Sequence, residues 1–345
     1  MTEASAGTMA TATLAVLLGI TPAAAQDAAE FYRGKTITII AATSAGGGID
    51  MFARQLARHI VKHIPGNPQA VVTNMPGAGT KVAAKHIYAV APKDGTTMGT
   101  VLPGALMEPM RVEAARRDYD PLRFNYIGNG NAEALTTVVR TNSGINSLDD
   151  LFTREMIAGT PGGGSSVHES TMMAKNILGY RLRVVTGYPG VREVALAMEK
   201  GEVHGMVGLA YSTARQFFPD HLTGEKGIKV IAQDNLAGHP VLNKAGIPLS
   251  ISRAKTPADK AALELYQSQA VLVRVYIMPP GVPADRVAVM RKAFMDAVTS
   301  PEFQADITKA NAEAVPQSGE EIQALITRMY ASPPELVERV AKAIQ

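Results

Sequence analysis

Apolar and polar positions along the chain follow two alternating periods. Short runs rich in β-branched residues recur at 36–42, 70–74, 97–102, 123–128, 135–140, 156–159, 182–186, 203–207, 228–232 and 271–278, and each predicts a strand. Between most of them the apolar period lengthens to that of a helix. After the first strand, Ile49, Phe52, Ala53, Leu56, Ala57, Ile60, Val61 and Ile64 form one stripe that stops before Pro65-Gly66, as expected for a helix with one buried face. Further helices are predicted over 81–90, 167–178, 191–200, 257–267 and 284–299. Beyond Pro279 the pattern is almost wholly helical, with segments at 301–314, 319–330 and 334–344 separated by Pro316 and Pro333-Pro334. Strands and helices alternating in this way predict an α/β fold with helices on both faces of its sheets.

The first 25 residues read differently. An apolar run at 10–20 is followed by Ala23-Ala24-Ala25 and Gln26, the outline of a secretory signal peptide with an A-x-A cleavage site. The stretch before it, MTEASAGTM, carries Glu3 and no Lys or Arg, so a later start at Met9, a simple tail or an uncleaved anchor stay open as alternatives. The run is short of the ~20 residues that span a bilayer. About 320 remaining residues exceed the size at which one core stops growing, so two domains are expected. With no low-complexity linker, a two-lobed molecule sharing its chain through crossing strands fits better than separate beads.

Composition narrows the chemistry. Removal of residues 1–25 takes away Glu3 and no base, leaving 34 basic against 30 acidic residues, a formal charge of +4. The charges are interspersed and only 5% of residues are aromatic, which argues against a nucleic-acid partner. Cysteine is absent, so there is no disulfide framework or thiolate site, and any nucleophile would be Ser, Thr, Lys or a carboxylate.

Three Gly-rich turns join a predicted strand to a predicted helix: Thr43-Ser44-Ala45-Gly46-Gly47-Gly48, Gly77-Ala78-Gly79-Thr80, and Thr160-Pro161-Gly162-Gly163-Gly164-Ser165-Ser166. Glycine permits close backbone approach, and the helix beyond it directs unpaired N–H groups and its positive dipole end into the turn. Such turns favour an anion. The first lacks the Lys of a P-loop and the spacing of a dinucleotide fingerprint. The plainer reading of the first is a tight turn capped by Asp50. In open α/β sheets ligands sit at the carboxyl ends of strands, where all three turns would lie.

Taken in order, GGGID after a strand, NMPGAGT followed by APKDGT, the Gly/Ser turn ending in His168, TGYPG and GEVHG resemble the solute receptors of the tripartite tricarboxylate transporter family, the Bug-type periplasmic receptors. The resemblance spans about 32–330. It implies an α/β, type II periplasmic-binding-protein fold, two lobes with mixed sheets around a ligand cleft that closes by a hinge. It also implies a small carboxylate ligand, delivery to large and small membrane permease subunits, a monomer in the periplasm, no cofactor or metal, and no enzymatic activity. Lobe 1 is expected over 26–131 and 233–345, lobe 2 over 132–232. Matching ligand-binding residues are Thr43, Ser44, Ala45, Gly46, Gly47, Gly48, Gly77, Ala78, Gly79 and Thr80 from lobe 1. Lobe 2 supplies Thr160, Gly162, Gly163, Ser165, Ser166, His168 and Tyr188. Three departures stand out. Thr43-Ser44-Ala45 replaces the common Phe-Pro-Pro, Gly208 stands where relatives often carry an acidic residue, and a helix at 334–344 extends past the usual end. A sensory receptor for a carboxylate, or an enzyme acting on one, remains an alternative reading.

Two sharper readings are set aside. Ser165, Ser166, His168 and Glu169 suggest a hydrolase, but Ser166-Val167-His168-Glu169 has the form of a capping box, and helix neighbours do not face one another as a triad must. His59 and His63 have the spacing of a helical metal pair, yet their neighbours Arg58 and Lys62 oppose a cation, which predicts a solvated face. The signal-peptide reading is tested by mass spectrometry of periplasmic extract: the mature chain is expected to begin at or near Gln26, and retention of Met1 or Met9 would contradict it.

Overall fold

The computed structural model describes residues 29–345 apart from 44, 47, 113–115, 163, 164 and 311. The expected leader and three of the expected ligand residues, Ser44, Gly47 and Gly163, therefore lie outside the described residues. Eleven strands are described: β1 (Thr36–Ala41), β2 (Gln69–Asn74), β3 (Thr97–Val101), β4 (Asn125–Asn129), β5 (Leu135–Arg140), β6 (Met156–Pro161), β7 (Leu182–Tyr188), β8 (Gly205–Ala210), β9 (Ile228–Gln233), β10 (Val275–Met278) and β11 (Gln317–Ser318). They form two sheets, ordered β11-β4-β10-β3-β1-β2 and β7-β6-β8-β5-β9. In the first, β1 runs parallel to β2 and β3 while β10 is antiparallel to β3 and β4. In the second, β6 is parallel to β7 and β8, and β5 is antiparallel to β8 and β9. Both sheets are thus mixed, with helices packed on them, as the sequence pattern and the resemblance led one to expect.

The chain passes from the first sheet to the second through 130–134, where Glu133 accepts hydrogen bonds from the backbone N–H (3.3 Å) and hydroxyl (2.9 Å) of Ser212. Following β9, Asn235 accepts from the backbone of Leu135 at 3.0 Å. The return is helical rather than stranded. The apolar run predicted as a strand over 271–278 begins as a 3-10 turn, Ser268–Leu272, before β10, an ambiguity that hydrophobic period alone does not resolve. Leu242, beyond β9, packs with Val138, Met206 and Val230 of the second sheet.

Among the helices that frame the sheets and the turns between them are α1 (Gly48–Ile60), α2 (Ser166–Met173), α3 (Pro257–Gln267), α4 (Ala284–Thr299), α5 (Pro301–Lys309) and α6 (Pro334–Ala343). The apolar stripe of α1 seals one face of the first sheet, with Phe52, Leu56 and Ile60 buried against Ile39, Tyr276, Phe294 and Phe303. A second core runs from Ile40, Val101 and Tyr126 of the first sheet to Val139, Ala158 and Val207 of the second, by way of Leu263 of α3 and Val340 of α6. The C-terminal helix thereby bridges the sheets, and Asn176 donates to the Ala343 carbonyl at 2.8 Å.

The expectation for His59 needs correction. Its ring is buried at 5% exposure, edge-on to Phe303, with Nε2 3.0 Å from Asp306 of α5. The polar stripe of α1 is not all solvated because α4 and α5 pack beside it. No group of three or more potential ligands that could hold a metal occurs among the described residues.

One carboxylate fixes the turn between β1 and α1. Asp50, 2% exposed, accepts from the Gly46 backbone (2.9 Å), Arg54 Nε (3.0 Å) and Asn74 Nδ2 (2.8 Å). Asn74 also donates to the Thr43 carbonyl at 2.9 Å. The Arg54 hydrogen bond, aided by those from Gly46 and Asn74 and opposed by burial, lowers the Asp50 pKa from 3.8 to about 2. A depressed carboxyl pKa contributes stability above its unfolded value and loses it as the pH falls through the folded one. Asp50→Asn is therefore expected to lower unfolding free energy by about 1–2 kcal/mol at neutral pH, after allowance for screening at the half-exposed Arg54. The difference from wild type should shrink between about pH 4 and pH 2. Urea titrations across that range check it, and equal stability of the two proteins at pH 7 would contradict it.

Candidate functional site

At the first turn the glycines and the capping carboxylate share the work. Gly46 lies at φ +86°, in the left-handed region, and its N–H is committed to Asp50. The donors left for a ligand are the unpaired amides of the first turn of α1, which begins at Gly48. A Cβ at Gly48 would meet only Arg274 Nη2, at 3.9 Å. Ala45 is exposed beside it.

The second turn is conformationally unusual. Gly77, Ala78, Gly79 and Thr80 have φ of +138°, +46°, +61° and +74° in succession. Two of these residues carry side chains, and such backbone costs of order 1–3 kcal/mol each unless its surroundings enforce it. Thr80 supplies part of that enforcement: it is 3% exposed, its N–H donates to the Gly77 carbonyl (2.9 Å), and its hydroxyl accepts from the Leu102 N–H (3.0 Å) at the end of β3. Its side chain thus ties the turn to the sheet.

The third turn stands at the carboxyl end of β6 in the other sheet. Thr160 is fully buried, with its hydroxyl 2.8 Å from the Pro161 carbonyl and 3.0 Å from His168 Nδ1. A Cβ on Gly162 would meet nothing within 4 Å. The cap of α2 is one residue earlier than the motif suggested: the Ser165 hydroxyl, not that of Ser166, accepts from the His168 N–H at 3.2 Å. Ser166 instead offers its carbonyl to Tyr266 Oη at 3.3 Å. Both serines serve helix and packing, and among the described hydrogen bonds none joins either hydroxyl to the His168 ring, whose Nδ1 faces Thr160 instead. Burial pushes the Glu169 carboxyl up, with nearby Arg111 and His168 opposing. Tyr188 is placed beside this turn by its pairing with Pro161.

Gly208 explains one departure. Its φ is +80°, and a Cβ there would lie 2.2 Å from Cβ of Ser170, whose hydroxyl is 3.0 Å from Tyr266 Oη. The position cannot hold the acidic side chain that the resemblance suggests without dismantling that contact.

Arg274 is the residue that the sequence pattern did not single out. It precedes β10, its N–H donates to Asn129 Oδ1 (3.0 Å) and its carbonyl accepts from Gly130 N–H (2.9 Å). Those bonds set it at the carboxyl edge of β3 and β4, beside the start of α1. Its only sequence signal was a lone base in the apolar run VLVRVYIM.

A cavity of about 440 Å³ lies beside the segments 132–134 and 235–240. It is lined by Glu133, Asn235, His239, Gln267, Gln317 and Glu321, among others. Its charged lining is mixed, because Arg328 lines it together with Glu133 and Glu321.

No model of a known protein family matches the sequence. A UPF0065 protein of Cupriavidus necator, from the gbd 5' region, is 31% identical over 167 residues, 46% of this chain and 49% of that one, so the chain aligns with about half the length of this curated relative. Among solved structures, a TctC solute binding protein from Polaromonas superposes with a TM-score of 0.70 at 19% identity, covering 89% of this chain and 99% of that one. Two Rhodopseudomonas palustris proteins are also similar. One, solved with adipate, has a TM-score of 0.56 at 20% identity and covers 90% and 97% of the two chains; the other, MatC with bound malate, has 0.55 at 17% and covers 90% and 99%. The order of motifs in the sequence and the arrangement of the two mixed sheets agree: this chain has the fold of the TctC-type solute-binding proteins.

Proposed function

We propose that this chain is a periplasmic receptor that binds one small carboxylate between its two lobes and presents it to the large and small permease subunits of a tripartite transporter. The observation that carries the reading is the placement of helix-initiating, Gly-rich turns at the carboxyl ends of β1 and β6, one in each sheet. Helix N-termini there offer unpaired N–H groups and a favourable dipole to an anion. Four charge-assisted bonds at roughly 1.5–3 kcal/mol each reach the ~8 kcal/mol of a micromolar complex, even with some loss to ordering. The fold shared with proteins solved with adipate and with malate supports a carboxylate as the ligand class. Closure would bend the crossings at 130–134 and after β9. The serines and His168 near the third turn are occupied by capping and packing, so binding rather than turnover is the reading they support.

Thermal-shift screening of the mature protein against mono-, di- and tricarboxylates, aromatic acids included, tests the proposal. At a hundredfold excess over Kd a true ligand stabilises by about 2.7 kcal/mol, a rise of roughly 5 °C for a protein of this size. Absence of any shift across the panel would contradict the receptor reading. Gly162→Val should leave the unliganded melting temperature within about 2 °C of wild type, because its side chain would enter open space and exposed substitutions of this kind are small in effect. It should remove most of the ligand-induced shift, and a shift of full size would take the third turn out of the site.

A further inference from the structure

Six buried side-chain atoms lack a hydrogen-bond partner among the described residues, and four of them gather at one end of the first sheet: Thr43 Oγ1, Thr100 Oγ1, and Nε and Nη1 of Arg274. Thr43 lies just beyond β1, and the register pairs Ala41 with Thr100 and Thr100 with Tyr276, two residues beyond Arg274. The guanidinium lies 5.3 Å from the Phe52 ring centroid and points past it toward the start of α1. The Phe52 ring packs closely on Gly130, where a Cβ would lie 2.3 Å from it. No carboxylate of the described residues pairs with Arg274, although fifteen ion pairs are formed elsewhere.

A guanidinium with water-shielded, unpartnered N–H groups is costly, and the positive end of the α1 dipole beside it raises the cost further. Stacking on Phe52 offsets only part of this. A planar anion would relieve part of it, because either edge of the guanidinium, Nη2 with Nε or Nη2 with Nη1, binds a carboxylate through two parallel hydrogen bonds and the two threonine hydroxyls can add donors. We propose that Arg274 is the counter-ion of the bound carboxylate, with Thr43 and Thr100 beside it, and that the site selects carboxylates over their neutral amides. With Gly208 barring an acidic side chain from the other lobe, the combination suits a plain organic acid better than a zwitterionic amino acid.

This inference rests on the receptor reading and is separable from it. Calorimetry on the full mature protein would use malate and adipate, each beside its neutral diamide, with wild type, Arg274→Met and Arg274→Lys. Wild type should bind the acid and not the diamide. Arg274→Met should weaken the acid at least about tenfold, with unchanged circular dichroism and an unliganded melting temperature equal to or above wild type, since an uncompensated buried charge has gone. Arg274→Lys should fall between, because an ammonium cannot form the planar fork. Acid affinity within twofold of wild type in Arg274→Met would overturn the assignment and leave the receptor reading standing. A marked drop in the unliganded melting temperature of Arg274→Met would also count against it, marking the guanidinium as a structural element. No acid binding by wild type, to these or any other carboxylate screened, would overturn both.

Discussion

Asp50 ties together three segments that converge at the carboxyl ends of β1 and β2. Its carboxylate holds the Gly46 amide of the turn, Arg54 one helical turn further along α1, and Asn74 at the end of β2. Asn74 in turn grips the Thr43 carbonyl. This anchor helps to fix the turn after β1 and the direction of the first amides of α1. The same carboxylate removes Gly46 from the donors that face outward, so among the described residues the anion-attracting part of the turn begins at Gly48. The plain reading of the turn as a capped structure and the functional reading as an anion site therefore concern neighbouring atoms and do not compete.

Much of the fold could be read from hydrophobic period because burial imposes it directly. The stripe from Phe52 to Ile60 has one face to seal against β1 and β10, and the ten predicted strands all lie in or next to described ones. What escaped had physical reasons. The helix Pro103–Arg111 carries Pro109 within it, which reads as a stop. The two-residue β11 is too short to show a period. The helix expected over 301–314 ends at Lys309, where Ala310 and Ala312 both return hydrogen bonds to the Ile307 carbonyl and the chain turns toward β11. His59 looked solvated because a sequence does not reveal that α5 lies beside α1.

The candidate site was legible where it is made of backbone and illegible where it is made of one side chain. Gly-rich turns between strand and helix announce themselves through composition. Arg274 does not, since a single base in an apolar strand can be read as an edge residue with a snorkelling head. Only the structure shows that it sits between β3 and β4, beside Phe52, with two nitrogens shielded and unpaired. Among the described residues, the strand ends are also separated in chemistry from the 440 Å³ cavity. The strand ends carry an unpaired guanidinium and helix N-termini, whereas the cavity carries a mixed set, Glu133, Glu321 and Arg328.

That separation is tested most sharply by a crystal structure of the mature protein with a carboxylate that stabilises it. Electron density for the carboxylate is expected at the carboxyl ends of β1 and β6, within hydrogen-bond distance of the first-turn amides of α1 and of the turn containing Gly162. Density for the carboxylate in the cavity lined by Glu133, His239 and Gln267, with the strand ends occupied by water, would contradict the anion site proposed at the turns.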